Sequence, residues 1–100
     1  MNPISIPELD GLLTKLIQSA EGISDLIFVA GKTPQSEIYG RLITPPNCPE
    51  PVLTPSRVES LAFGLIAGNE RLIKDLATAG SCDCSYTLEG ICRFRVNIYR

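Results

Sequence analysis

Histidine and tryptophan are absent, methionine occurs once, and aromatics make up only 6% of the 100 residues. Without histidine there is no Ser-His or Cys-His pair for nucleophilic catalysis. A zinc site would need Cys48, Cys82, Cys84 and Cys92 together. Cys82-Asp83-Cys84 is a C-x-C spacing, not the C-x-x-C of structural zinc knuckles, and Cys48 stands alone among prolines. Four cysteines also raise two disulfides as a possibility, but the thiols read best as small buried side chains. No G-x-x-x-x-G-K-[ST] loop occurs, so nothing here cradles a triphosphate unaided. No apolar run reaches eighteen residues, which excludes a membrane-spanning helix at the level of sequence. Net charge is −2 and no long stretch carries one sign, so neither a nucleic-acid tail nor an acidic disordered tail is present. Met1-Asn2-Pro3-Ile4-Ser5 lacks the basic region and apolar core of an export signal, and a cytoplasmic location is expected.

What is present suffices for one domain. A chain of this length buries roughly two thirds of its unfolded surface. Ser5-Ile6-Pro7-Glu8 is a capping box, with proline in the first turn where a missing N–H costs nothing. Leu9, Leu12, Leu13, Leu16, Ile17 and Ala20 then fall on one face, which predicts an amphipathic helix over about residues 6–21 stopping near Gly22. Asp25 to Ala30 is a nearly unbroken apolar run, expected to be a central strand buried on both faces. A turn follows at 31–34. Residues 37–43 read as a second strand, in which Gly40 marks a bulge or a tight turn. Residues 45–55 hold five of the eight prolines and form a loop, ending in the Thr54-Pro55 start of a second helix. Val58, Leu61, Ala62, Leu65 and Ile66 make its inner face. Gly68-Asn69 breaks it, and Asn69 caps a third helix that carries Leu72, Ile73 and Leu76 and stops at Gly80.

The last twenty residues alternate with period two. Cys82, Cys84, Tyr86 and Leu88, and then Cys92, Phe94, Val96 and Ile98, point to the core. A three-residue loop, Leu88-Glu89-Gly90, keeps both apolar faces on one side, with Gly90 in the left-handed position. That loop predicts Tyr86 opposite Cys92, Cys84 opposite Phe94 and Cys82 opposite Val96. The order helix, two strands, helices, two strands predicts an α+β domain: a mostly antiparallel sheet with helices packed on one face.

Chemistry-bearing residues are few. Asp25, Asp83, Glu59 and Glu89 are scattered, and no spacing brings two of them together. Glu8, Asp10 and Lys15 fall on the wet face of the first helix and read as solvated charges. Arg93, Arg95 and Asn97 share one face of the last strand, about 6.6 Å apart pairwise. Two guanidiniums so placed can grip phosphate or carboxylate. The alternative is an ordinary exposed strand face partnered by Asp83.

Three stretches resemble the N-terminal domain of the twitching-motility retraction ATPases, the PilT family. Ser24-Asp25-Leu26, Ala30-Gly31, Pro34 and Gly40-x-Leu42 are similar to SDLHLxxGxPPxxRxxGxL. Leu53-Thr54-Pro55 and Val58-Glu59-Ser60-Leu61-Ala62 are similar to LTPEEVEELA. Asp83-x-Ser85-Tyr86 and Arg93-Phe94-Arg95-Val96-Asn97 are similar to DFSFSLxGxxRFRVN. The three run in the family's order from about residue 9 to residue 100, and RFRVN is the most specific. The pattern departs at Ile27, Glu37 and Tyr39, where the family has histidine, arginine and aspartate. The cysteines are not a family pattern, and 67–80 is a residue or two longer.

The resemblance implies a PAS-like domain spanning 1–100, a piece of a longer protein whose RecA-like domain carries the P-loop. It implies packing on the RecA-like domains of its own and the neighbouring subunit in a homo-hexamer. ATP and Mg would be bound in that longer protein, an ATP-hydrolysing motor, with no catalysis by this piece alone. Arg95 first, and Arg93 second, would contact the ATP held by the neighbouring domain. Asn97 and Asp83 would be structural. The protein would be cytoplasmic and held at the inner membrane by a pilus or secretion platform. A related assembly or secretion ATPase, or a freestanding PAS-like ligand-binding module, are the alternatives.

Overall fold

A computed structural model describes residues 4–45, 48 and 50–100. The Met1-Asn2-Pro3 start and part of the proline-rich loop (46, 47 and 49) lie outside the described residues. Helix α1 runs Ile6–Ile17, and the Ser5 hydroxyl accepts the Glu8 N–H at 3.3 Å as the capping box requires. The helix stops four residues earlier than expected. Ser19 Oγ donates to Leu16 O at 2.6 Å, and Gln18 already caps the end. Gly22, with φ of 80°, turns the chain into the next strand instead of ending the helix. A Cβ there would lie 3.0 Å from the Tyr39 ring.

Five strands form one mixed sheet in the order β3-β2-β1-β5-β4. They are β1 (Ile23–Val29), β2 (Gln35–Ile38), β3 (Arg41–Ile43), β4 (Ser81–Leu88) and β5 (Cys92–Tyr99). All pairings are antiparallel except β1 with β5, which is parallel. The stretch expected as one strand over 37–43 is two. Tyr39 and Gly40 both have positive φ, 49° and 80°, and reverse the chain as a two-residue hairpin. Of the two options at Gly40, the tight turn is realised.

Helices α2 (Pro55–Leu65) and α3 (Glu70–Ala79) connect β3 to β4. Thr54 and Asn69 accept the Arg57 and Leu72 N–H groups at 3.1 Å each, and Gly80 closes α3 in the left-handed conformation. The core lies between the helices and the even-numbered face of the sheet. Leu9, Leu13, Leu16, Val58 and Leu61 meet Leu26, Phe28, Val96 and Ile98, all fully or almost fully buried. Strand β1 is central as expected, but it is fully buried on one face only. Ile27 and Val29, on the other face, are half-buried.

The β4–β5 hairpin keeps the expected faces and changes the register by two residues. Leu88 pairs with Cys92, Tyr86 with Phe94, Cys84 with Val96 and Cys82 with Ile98. The loop is Glu89-Gly90-Ile91, closed by Ile91 N–H on Leu88 O at 3.0 Å with Gly90 at φ 75°. A shift of two preserves the parity of every side chain, so the alternation alone cannot distinguish the two registers. The even register lets Leu88 and Cys92 close the core end and leaves Ile91 outside.

Ser36 sits on the core face of β2, opposite Leu26, and its buried hydroxyl has no hydrogen-bond partner among the described residues. Desolvating an unpaired hydroxyl costs stability that a methyl group does not. Ser36→Ala is therefore expected to raise stability by about 1 kcal/mol. A urea midpoint unchanged or lowered would contradict this.

Candidate functional site

Odd-numbered residues of β1, β4 and β5 form the face of the sheet opposite the helices. Parallel pairing sets Asp25 beside Arg95, Ile27 beside Asn97 and Val29 beside Tyr99. A register shift between Ile23 and Asp25 on the β2 side marks a bulge just before the carboxylate. Asp25 Oδ2 accepts two bonds from β5: Arg95 Nε at 3.0 Å and Asn97 Nδ2 at 2.9 Å.

The two partners differ sharply in exposure. The Asp25 side chain is 9% exposed and that of Arg95 is 62% exposed. A buried carboxylate thus holds the root of a guanidinium whose far end faces solvent. The Nη groups of Arg95 have no hydrogen-bond partner among the described residues. Fixing Nε leaves the outer edge of the guanidinium oriented and available for an oxyanion.

Burial by itself would raise the Asp25 pKa. The bonds from Asn97, Ser24 and Arg95, and then the charge of Arg95, more than offset it, and the carboxyl lies below its usual 3.8. A depressed folded-state pKa means that the unfolded chain binds more protons in that window. The contribution of Asp25 is then complete above about pH 4 and is lost as pH falls through its lower folded value. Asp25→Asn should flatten the acid limb of a stability–pH curve below pH 4. An unaltered limb would show that the pair is not formed in solution.

The expected residues are only partly brought together. Arg93, Arg95 and Asn97 do share the open face, opposite Thr87, Ser85 and Asp83 respectively. Asp83 makes no ion pair among the described residues, so the partnership with the arginines that the alternative reading allowed is not formed. The carboxylate that holds Arg95 is Asp25, on the other neighbouring strand. Spacing could not reveal this, because the two residues are seventy apart and only the parallel pairing unites them. The available signal was that both stand in stretches that carry the resemblance. Asp10 is another correction: it accepts the Tyr86 hydroxyl at 2.6 Å and is not merely solvated. Burial, and then Asp10, push Tyr86 up to about 12. Glu8, also expected to be solvated, lies 3.4 Å from Arg57.

All four cysteines are free thiols. Cys82, Cys84 and Cys92 lie in or against the core as expected, and burial first of all pushes Cys84 up to about 11. Among the described residues no three His, Cys, Asp or Glu side chains converge to hold a metal ion, and no helix is long and apolar enough to cross a membrane.

Two open clefts flank Arg95. One, of about 550 Å³, is lined by Asp25, Ile27, Val29, Leu42, Asn97 and Tyr99. The other, of about 500 Å³, is lined by the α2–α3 corner and by strands β4 and β5, and Arg93 lines it as well. Over 92 residues, 92% of this chain, the sequence is 29% identical to the type IV pilus ATPase PilU of Pseudomonas aeruginosa. The similarity supports the type IV pilus ATPase family. The match covers 22% of that pilus ATPase, so the chain corresponds to one part of it. No protein-family model matches the chain. The open face that carries Arg95 thus lies within the stretch that is similar to part of a pilus ATPase.

Proposed function

We propose that this chain is the N-terminal domain of a hexameric retraction-type pilus ATPase and that it is non-catalytic alone. It packs on the RecA-like domains of its own and the neighbouring subunit and offers Arg95, assisted by Arg93, to ATP bound there. The observation that carries this reading is the Asp25–Arg95 pair: a mostly exposed guanidinium held at its root by a buried carboxylate on an otherwise open face. An arginine so held loses little side-chain entropy when it meets a phosphate. Its charge would offset the negative charge on the transferring phosphoryl group. Mg, with the ATP, is assigned to the RecA-like domain. The protein works in the cytoplasm, recruited to an inner-membrane pilus or secretion platform, with no nucleic-acid partner.

The relative's name speaks of a pilus ATPase and leaves assembly, retraction and secretion motors as variants of one reading. A freestanding PAS-like ligand module is the second reading, and the 550 Å³ cleft beside Tyr99 favours it. Sequencing the gene beyond codon 100 separates the two. A G-x-x-x-x-G-K-[ST] loop within roughly a hundred further codons is expected. A stop codon or an unrelated domain would overturn the motor reading.

A further inference from the structure

The second cleft beside Arg95 has a third arginine in its wall, from an element that the sequence reading left without chemistry. Arg71, in the first turn of α3, lines the same 500 Å³ space as Arg93 and Arg95 of β5. Asp83 is the one carboxylate in that lining. Arg71 and Arg93 make no ion pair among the described residues, and the partner of Arg95, Asp25, lies outside the cleft. In a protein of net charge −2 this is a local excess of positive charge. The amino end of the α3 dipole has the same sign, opposed in the first turn by the Glu70 carboxylate. Leu65, Ile66 and Leu72 line the helix side of the cleft, which stays open to solvent. Three guanidiniums around one space repel one another until an anion neutralises them. Each has the geometry to hold a phosphate by two parallel bonds, so a single phosphate leaves the set unsatisfied and a chain of phosphates does not.

We infer that Arg71 completes a phosphate-chain site with Arg93 and Arg95, and that the cleft takes the triphosphate of a nucleotide. This rests on the nucleotide-contacting reading of Arg95 and Arg93, adds a residue from a different element to it, and revises the expectation, drawn from the missing P-loop, that nothing in this chain holds a triphosphate unaided. Arg71 grips from the helix side while the two β5 arginines grip from the sheet.

The test is calorimetric titration of the 100-residue chain with sodium tripolyphosphate at low salt, with orthophosphate and ATP in parallel. Tripolyphosphate should bind more tightly than orthophosphate, and ATP at least as tightly as tripolyphosphate. Arg71→Ala should weaken tripolyphosphate about tenfold. Lys74→Ala removes the same charge from an exposed position of α3 outside the cleft, and should leave binding unchanged. Both residues are exposed, and matching melting curves would show that the variants fold. Equal losses in the two variants would mean diffuse charge attraction and overturn the proposal, as would no binding at all. Tripolyphosphate bound with ATP refused would assign the cleft to an inorganic chain and overturn it too. The motor reading is tested separately, by turnover in an Arg95 variant. A fall in turnover with Arg71→Ala no weaker than Lys74→Ala removes this inference alone. Arg71-dependent binding with turnover indifferent to Arg95 removes the motor reading alone.

Discussion

If the proposed motor reading holds, Arg95→Ala in that longer protein is expected to lower kcat by at least about a hundredfold, a conservative share of what an arginine at a transferring phosphate contributes. The residue is 62% exposed in this domain, so its removal opens no cavity. It does strip one partner from Asp25, which keeps the Asn97 bond at 2.9 Å. A stability loss of about 1 kcal/mol follows from one missing charged hydrogen bond partly covered by the other. That loss is too small to unfold the domain and cannot imitate a hundredfold drop in turnover. Arg95→Lys should fall in between. An ammonium can keep the charge, but it cannot bond Asp25 through one nitrogen and present an oriented fork with two others. Steady-state turnover of purified, folded variants decides the matter. An unchanged kcat would remove Arg95 from the nucleotide site.

Phe28→Ala is expected to cost about 3–5 kcal/mol. Phe28 is fully buried on β1, the middle strand of the five, and faces the helices. Truncation removes apolar burial at the centre of the core and leaves a cavity that β1, paired on both sides, cannot close by moving. Domains of this size have only about 5–15 kcal/mol in hand. The melting temperature should therefore fall by roughly 15 °C or more. Phe63, half-buried on α2, is the comparison, and Phe63→Ala should cost much less. Equal costs would mean that the core is not centred on β1.

Much of the fold is legible in local patterns. Ser5, Thr54 and Asn69 announce their helices because a side-chain oxygen beside free N–H groups is a local need met by a neighbour. The alternation in 82–88 and 92–98 identifies the core face for the same reason: parity is a property of each strand alone. The end of α1 and the hairpin register are less legible. Ala20 continues the apolar pattern of α1, while the competing bond from Ser19 to Leu16 O ends the helix. A register moved by two residues leaves every face unchanged, so the alternation alone does not select the observed one, in which Leu88 pairs with Cys92.

The site divides the same way. Arg93, Arg95 and Asn97 are recognisable as a polar strip because they lie two apart on one strand. Asp25 is not recognisable as their partner, since an apolar run around it predicts burial and nothing in the run predicts a cation seventy residues away. The parallel pairing of β1 with β5 makes that contact, through long-range hydrogen bonds between strands distant in the chain. Arg71 joins the cleft for a similar reason: α3 carries it to β5 from outside the sheet. The sequence by itself determined most of the elements, the buried faces of the helices and of β4 and β5, and the absence of a P-loop or a histidine-based site, because those depend on neighbours within a few residues. It read the two strands of the Tyr39-Gly40 hairpin as one and missed the open second face of β1. Tertiary structure alone decided which charges meet. Ion pairs and clefts arise between segments whose approach is set by the shared core, not by any spacing along the chain.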